Sequence, residues 1–385
     1  MKKKMIHYIY SVCILLIITL PLFFMDHEKN KISLLDNSYL PELPDLTGIL
    51  HAQDEVEEYV NKRIGFRESS VYLYETGVSL LFHKLEHNLY AFGMDGHIMG
   101  NMDEYIRDYQ HLNLEEDAEF LDAFSGWLYK VNNYMEKENI IFLYFLAPDK
   151  KTIYPEGVSD TINVYGEVSR TDLLLQKLDE MQIAYIYPKE EFLAVKEEKQ
   201  TYNKKYDVLH WNDLGNFMGN QMIDGYFCRQ NDAIVPLEEG QFDLRYVCRE
   251  KLDQSCFYVY EDVPEYRLKD EQGILDISNQ DEFGKEHVVS DFEHYINENL
   301  PDGSVILILH DSYMVSSGKY YKGRYKEVIS VHNSNYWEIQ ELVEYYKPDI
   351  VLFENVERVL ALSTFDIDVM NSWNAEYEDE GEPTS

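Results

Sequence analysis

Ser304-Val305-Ile306-Leu307-Ile308-Leu309-His310-Asp311-Ser312-Tyr313 is the stretch on which the reading of this chain turns. Residues 305–309 are apolar without alternation, the pattern of a strand buried on both faces. Such strands build parallel sheets covered by helices, and Ser312 follows the carboxyl end, where those sheets place their ligands. Comparable apolar runs stand at 140–147, 183–187, 328–331 and 350–353. Helical spacing of apolar residues predicts helices over 115–138 (Phe120, Phe124, Leu128 and Val131 inward), 169–181, 213–227 and 337–346. Strands and helices that alternate in this way predict an α/β fold with a parallel sheet and flanking helices.

Outward from this core the organisation changes. Lys2, Lys3 and Lys4 precede an apolar run at 9–25, the pattern of an export signal with its lysines left in the cytoplasm. The run approaches the ~20 residues that span a bilayer, and no small-x-small cleavage site follows Phe23-Phe24-Met25. Residues 1–26 are therefore expected to be an uncleaved transmembrane signal anchor, and 27–50 a linker. Residues 51–364 are expected to form one large domain. It opens with two helices broken at Gly65-Phe66-Arg67 and a hairpin at Gly93-Met94-Asp95-Gly96-His97-Ile98. A weakly periodic insertion occupies about 231–291. Residues 365–385, acidic and poor in core residues, are expected to be a disordered tail. Asp and Glu number 71 against 34 Lys and Arg, a formal charge of −37, and no basic stripe offsets it, so nucleic-acid binding is excluded. Beyond Cys13 in the anchor, Cys228, Cys248 and Cys256 allow at most one disulfide, with Cys248–Cys256 the candidate pair.

Two segments carry chemistry. In Tyr206-Asp207-Val208-Leu209-His210-Trp211-Asn212-Asp213, a carboxylate three residues before a histidine can accept the imidazole Nδ1–H and leave Nε2 as a general base. Asn212 or Asp213 would cap the helix that follows. In the opening stretch, Ser312 is the candidate nucleophile; no G-x-S-x-G elbow is present, so the α/β-hydrolase arrangement is not supported. Each segment alone is more commonly a capped loop. Together they supply the oriented base and the strand-end hydroxyl that serine activation requires. Tyr320, Tyr321 and Arg324 follow the serine and are candidates for holding a developing negative charge, with surface loop residues the plainer reading.

These motifs, in their order along the chain, resemble the AlgJ/AlgX group of SGNH-hydrolase-like polysaccharide O-acetyltransferases. That group carries Asp-x-His-Trp followed by Asn or Thr, and a later Gly-Asp-Ser after a hydrophobic strand. Here these are Asp207-Val208-Leu209-His210-Trp211-Asn212 and His310-Asp311-Ser312. Ala147-Pro148-Asp149-Lys150-Lys151-Thr152-Ile153-Tyr154-Pro155-Glu156 resembles its Pro-x-Lys…Tyr-Pro-Glu segment, and Lys347-Pro348-Asp349 through Glu357-Arg358 its Lys-Pro-Asp…Glu-Arg close. The Asp–His spacing is one residue longer than in the alginate proteins, and His310 replaces the glycine.

The resemblance implies an SGNH-hydrolase-like (flavodoxin-like) fold and an extracytoplasmic enzyme without a cofactor. It would acetylate an exported or cell-wall polysaccharide through Ser312 as nucleophile, His210 as base and Asp207 as orienting carboxylate. It also implies a multi-spanning membrane acyltransferase that delivers the acetyl donor. Three alternatives stay open: an acetylesterase, a non-catalytic glycan-binding or assembly protein (on account of His310), and a cation held by Asp207, His210, His310 and Asp311. No ligand spacing demands the metal.

Overall fold

The computed structural model describes residues 2–33, 35, 38–44, 52–112, 117–288, 291–361 and 364–378. Contacts divide the chain into two compact units, residues 1–87 with 249–260, and residues 88–248 with 261–385. Part of the expected linker (45–50) and the end of the tail (379–385) lie outside the described residues.

The first unit contains the amino-terminal helix α1 (Lys2–Phe23), whose stretch Met5–Phe23 has a mean hydropathy of 2.1 and no buried residue. It is long and apolar enough to cross a membrane. Helices α2 (Ala52–Arg63) and α3 (Arg67–Phe82) are separated by the break read from the sequence. That break is an elbow tied to the end of α1. Gly65 N–H donates to the Pro21 carbonyl (3.0 Å) and Asp26 N–H to the Arg63 carbonyl (2.8 Å). The Arg63 guanidinium binds the carbonyls of Asp26, Glu28 and Pro41. A Cβ on Gly65 would lie 2.5 Å from the Phe24 carbonyl oxygen, so a larger residue would push the elbow off α1. Residues 52–87, expected as the start of the large domain, thus cluster with α1 instead.

The second unit is built on a seven-stranded sheet. Its strands are β1 (Ile141–Ala147), β2 (Tyr185–Ile186), β3 (Ile274–Asp276), β4 (Glu293–Asn297), β5 (Val305–His310), β6 (Glu327–His332) and β7 (Ile350–Val356). Their spatial order is β2-β1-β7-β5-β6-β4-β3. The first five of these run parallel, whereas β4 and β3 pair antiparallel at the edge. The expectation of a purely parallel sheet is corrected there: the insertion itself supplies β3. The fold is a mixed α/β architecture with a mostly parallel sheet.

The period-2 rule explains why the central strands are apolar throughout. From β5, Leu307 and Leu309 enter one core while Ile306 and Ile308 enter the other; from β7, Val351 and Phe353 oppose Ile350 and Leu352. One face is covered by α4 (Ala118–Lys137), α5 (Arg170–Glu180), α7 (Ile339–Tyr346) and α8 (Ile367–Glu378). The other packs against α6 (Asp213–Gln230).

Helix α8 corrects the expected tail. Phe365, Met370 and Trp373 are buried in the core beside α4, so order extends well past residue 364. All four cysteines are free, and the candidate Cys248–Cys256 pair is not formed.

Candidate active site

Ser312 follows β5 by two residues, in a turn held from several sides. Asp311 is the centre of that turn. Its N–H donates to Glu354 Oε2 on β7 (3.1 Å), while its carboxylate accepts the N–H groups of Tyr313 (2.8 Å) and Val356 (2.7 Å). The carboxylate therefore bridges the ends of β5 and β7, and Ser312 is left exposed between buried neighbours. Glu354 is fully buried; burial and the nearby Asp311 push its carboxyl well above the usual carboxylate range. His310, where the AlgJ/AlgX motif has glycine, is 1% exposed, and its Nδ1–H donates to the Asp311 carbonyl (2.6 Å). Burial lowers its imidazole below the ordinary value, so the ring is a neutral core group.

The second segment meets the first. Asp207 Oδ1 lies 2.6 Å from His210 Nδ1, and His210 Nε2 lies 2.9 Å from Ser312 Oγ. With Nδ1–H donated to the carboxylate, Nε2 is the ring nitrogen that accepts the Ser312 hydroxyl. Next in the chain, Trp211 Nε1–H donates to the Tyr313 carbonyl (2.7 Å), so the histidine segment is bonded to the serine turn. Asn212 then caps α6, its Oδ1 accepting the N–H groups of Leu214 and Gly215.

The loop that carries Asp207 is fastened by a residue that sequence reasoning missed. The N–H groups of Lys204, Lys205 and Tyr206 all donate to the Glu261 carboxylate, each at 2.7 Å. Below them, Lys150 Nζ donates to the carbonyls of Ile98 (2.8 Å) and Lys204 (3.2 Å). Burial pulls the Lys150 ammonium down to about 7, although Glu261, Asp149 and Asp207 oppose the shift. Asp207 itself has φ +40, a left-handed conformation that persists in a non-glycine residue when its surroundings impose it. Glu261 belongs to the insertion, where nothing in the local pattern marks it; its only sequence signal is a charge on an otherwise mixed strand.

The flanking motifs converge beneath the serine. The Arg358 guanidinium donates to Asp149 Oδ2 and to the Tyr313 hydroxyl, both at 2.8 Å. Burial would raise the Asp149 carboxyl, but Lys151 and Arg358 hold it down to about 2. Glu357 accepts the Asp149 N–H and the Tyr187 hydroxyl.

The structure does not gather every sequence candidate at Ser312. Tyr320, Tyr321 and Arg324 are buried rather than surface loop residues. The Tyr320 hydroxyl donates to Asp213, and Arg324 forms a buried ion pair with Asp224 and bonds the Val235 carbonyl. Their bonds thus stabilise the packing of α6 and the following segment. Of the residues considered as cation ligands with Asp207 and His210, Asp311 has both carboxylate oxygens and His310 has Nδ1 engaged with backbone groups as described above.

No family model and no curated relative matches the sequence. Solved structures do match the fold. PatB1 of Bacillus cereus, in a structure bearing a sulfonyl adduct, aligns at 15% identity and a TM-score of 0.54, over 72% of this chain and 96% of that one. The O-acetyltransferase domain of Pseudomonas putida AlgJ aligns at 11% identity and a TM-score of 0.50, over 74% and 99%. At these identities the likeness is one of fold, and AlgJ belongs to the group that the motifs resemble.

Proposed function

We propose that the chain is an SGNH-hydrolase-like O-acetyltransferase, held by α1 on the outer side of a membrane, that acetylates hydroxyl groups of an exported or cell-wall polysaccharide. The observation that carries this reading is the continuous hydrogen-bonded line from Asp207 through His210 to the exposed Ser312 hydroxyl. The fold shared with the AlgJ O-acetyltransferase domain supports the choice of acetyl as the acyl group. His310, which motivated a non-catalytic reading, is buried and bonded to the Asp311 carbonyl, and this favours the catalytic one.

In the proposed reaction His210 Nε2 takes the Ser312 proton as Oγ attacks the acetyl carbonyl of the donor. The tetrahedral intermediate collapses, the donor's leaving group departs with the proton from His210, and an acetyl-serine remains. A sugar hydroxyl then gives its proton to His210 and attacks the acetyl carbon. Collapse returns the proton to Ser312 Oγ and releases the O-acetylated sugar. Asp207 keeps the imidazole oriented and stabilises its charged form in both halves. The Ser312 N–H makes no hydrogen bond among the described residues and is free to serve as an oxyanion donor. A multi-spanning membrane acyltransferase as acetyl supplier completes the proposal, with α1 keeping the domain beside it.

Incubation of the protein with a chromogenic acetyl ester and an oligosaccharide acceptor tests the reading. Acetyl groups on the sugar, lost in Ser312→Ala, are expected. Acetate as the only product, at any acceptor concentration, would convert the reading to an esterase.

A further inference from the structure

Helix α3 buries a carboxyl and leaves leucines outside, the reverse of a helix on a soluble domain. Its inward face holds Glu75, which is 3% exposed and accepts a hydrogen bond from the Ser255 hydroxyl at 3.5 Å. Burial raises the Glu75 carboxyl above its ordinary value. Tyr72 packs on the same side, edge-on to Tyr258. The leucines face outward: Leu73, Leu80 and Leu81 are 70%, 75% and 76% exposed. At 100° per residue they share one side with Tyr74, which is also exposed, and the exposed Phe66 stands at the turn just before the helix. A surface helix in water turns its apolar stripe inward. Here the carboxyl is buried and the stripe is left outside.

The elbow shows what that stripe meets. Gly65 N–H is bonded to the carbonyl of Pro21, in the last turn of α1, and the Phe66 ring lies 5.2 Å from Phe24. The stripe therefore begins at the depth where the apolar stretch of α1 ends. Helix α3 does not run back along α1, because the apolar window of α1 has no buried residue. Its exposed apolar side is continuous with the end of the span, the arrangement of a helix lying in a membrane interface.

We infer that α3 is an interfacial helix, with its Phe66–Leu73–Leu81 face seated in the outer surface of the bilayer that α1 crosses. The inference rests on the reading of α1 as an uncleaved anchor. The contacts are apolar and the chain is strongly acidic. The seating therefore needs no anionic lipid and withstands salt.

The test uses the full chain in nanodiscs of zwitterionic lipid, with its native cysteines replaced by serine. An environment-sensitive fluorophore is attached through Leu80→Cys, Leu73→Cys or, as a reference within α1, Ile14→Cys. We expect labels at 73 and 80 to be quenched at least threefold more strongly by doxyl-labelled lipid than by aqueous iodide. High salt and added anionic lipid should leave that ratio unchanged. Labels at 73 and 80 that iodide quenches and doxyl lipid does not would overturn the inference while the label at 14 still reports lipid. Labels shielded from both quenchers would also overturn it, in favour of a second protein on this face. A label at 14 that does not sense lipid would instead refute the anchor itself.

Discussion

Replacement of Glu261 by alanine removes the acceptor for three consecutive N–H groups just before Asp207. A hydrogen bond to a charged group contributes about 1.5–3 kcal/mol. Glu261 is half-buried, and its donors find water when it is gone, so the set is worth about 2–3 kcal/mol rather than the full sum. That loss bears on Asp207, whose left-handed φ of +40 costs about 1–3 kcal/mol wherever the surroundings do not impose it. Once freed, the loop relaxes and the Asp207–His210 alignment becomes a minor state. At about 1.4 kcal/mol per factor of ten, kcat/KM on a chromogenic acetyl ester should fall roughly 30- to 140-fold. Glu261→Gln, which keeps one acceptor oxygen, should recover part of the loss. Because Glu261 acts through Asp207, its removal should cost little in an Asp207→Asn background, and the double-mutant cycle should show strong coupling. Activity within threefold of wild type, or losses that multiply independently, would refute the reasoning.

Other perturbations separate support from chemistry. Asp149 is held at about 2 in the fold against an ordinary 3.8, so its contribution is fully present above about pH 4 and is lost as pH falls toward 2. Asp149→Asn should therefore flatten that acid limb of a denaturation profile, while it costs stability at pH 7 by leaving Arg358 unpaired. His310→Gly restores the glycine of the AlgJ/AlgX motif but empties a buried site that needs no left-handed backbone. It should cost about 2–4 kcal/mol in urea unfolding and should not raise turnover. Arg324→Ala breaks a buried ion pair with Asp224 and should cost about 3–5 kcal/mol, with kcat unchanged in the protein that stays folded.

The parts of this molecule that were legible in the sequence are those set by local pattern. Val305 to Leu309 and Ile350 to Phe353 read as strands buried on both faces because each side chain meets an apolar core on its own side. Asp207 and His210 are three residues apart, so one turn of chain brings them together. The order of motifs then pointed to Ser312. What was missed depends on distant partners. Glu261 reaches the Asp207 loop across more than fifty residues, from a strand whose charges mask any period. The antiparallel pairing of β3 and β4 is likewise invisible, since a short apolar run does not specify strand direction. Residues 365–378 were misjudged because the acidic terminus dominated their composition, although Phe365, Met370 and Trp373 suffice to dock α8. Tyr320 and Arg324 looked like surface residues because polar-tipped side chains serve equally well in a core once their tips are bonded.

The most direct measurement is peptide mass spectrometry of the protein after brief exposure to an activated acetyl ester. The account predicts an acetyl group on the peptide that contains Ser312, formed in the wild type, absent in Ser312→Ala and strongly reduced in His210→Ala. A sulfonyl fluoride, which reacts with activated serines, should compete for the same residue. Ester turnover with no acetyl on Ser312, and with Ser312→Ala as active as wild type, would contradict the account.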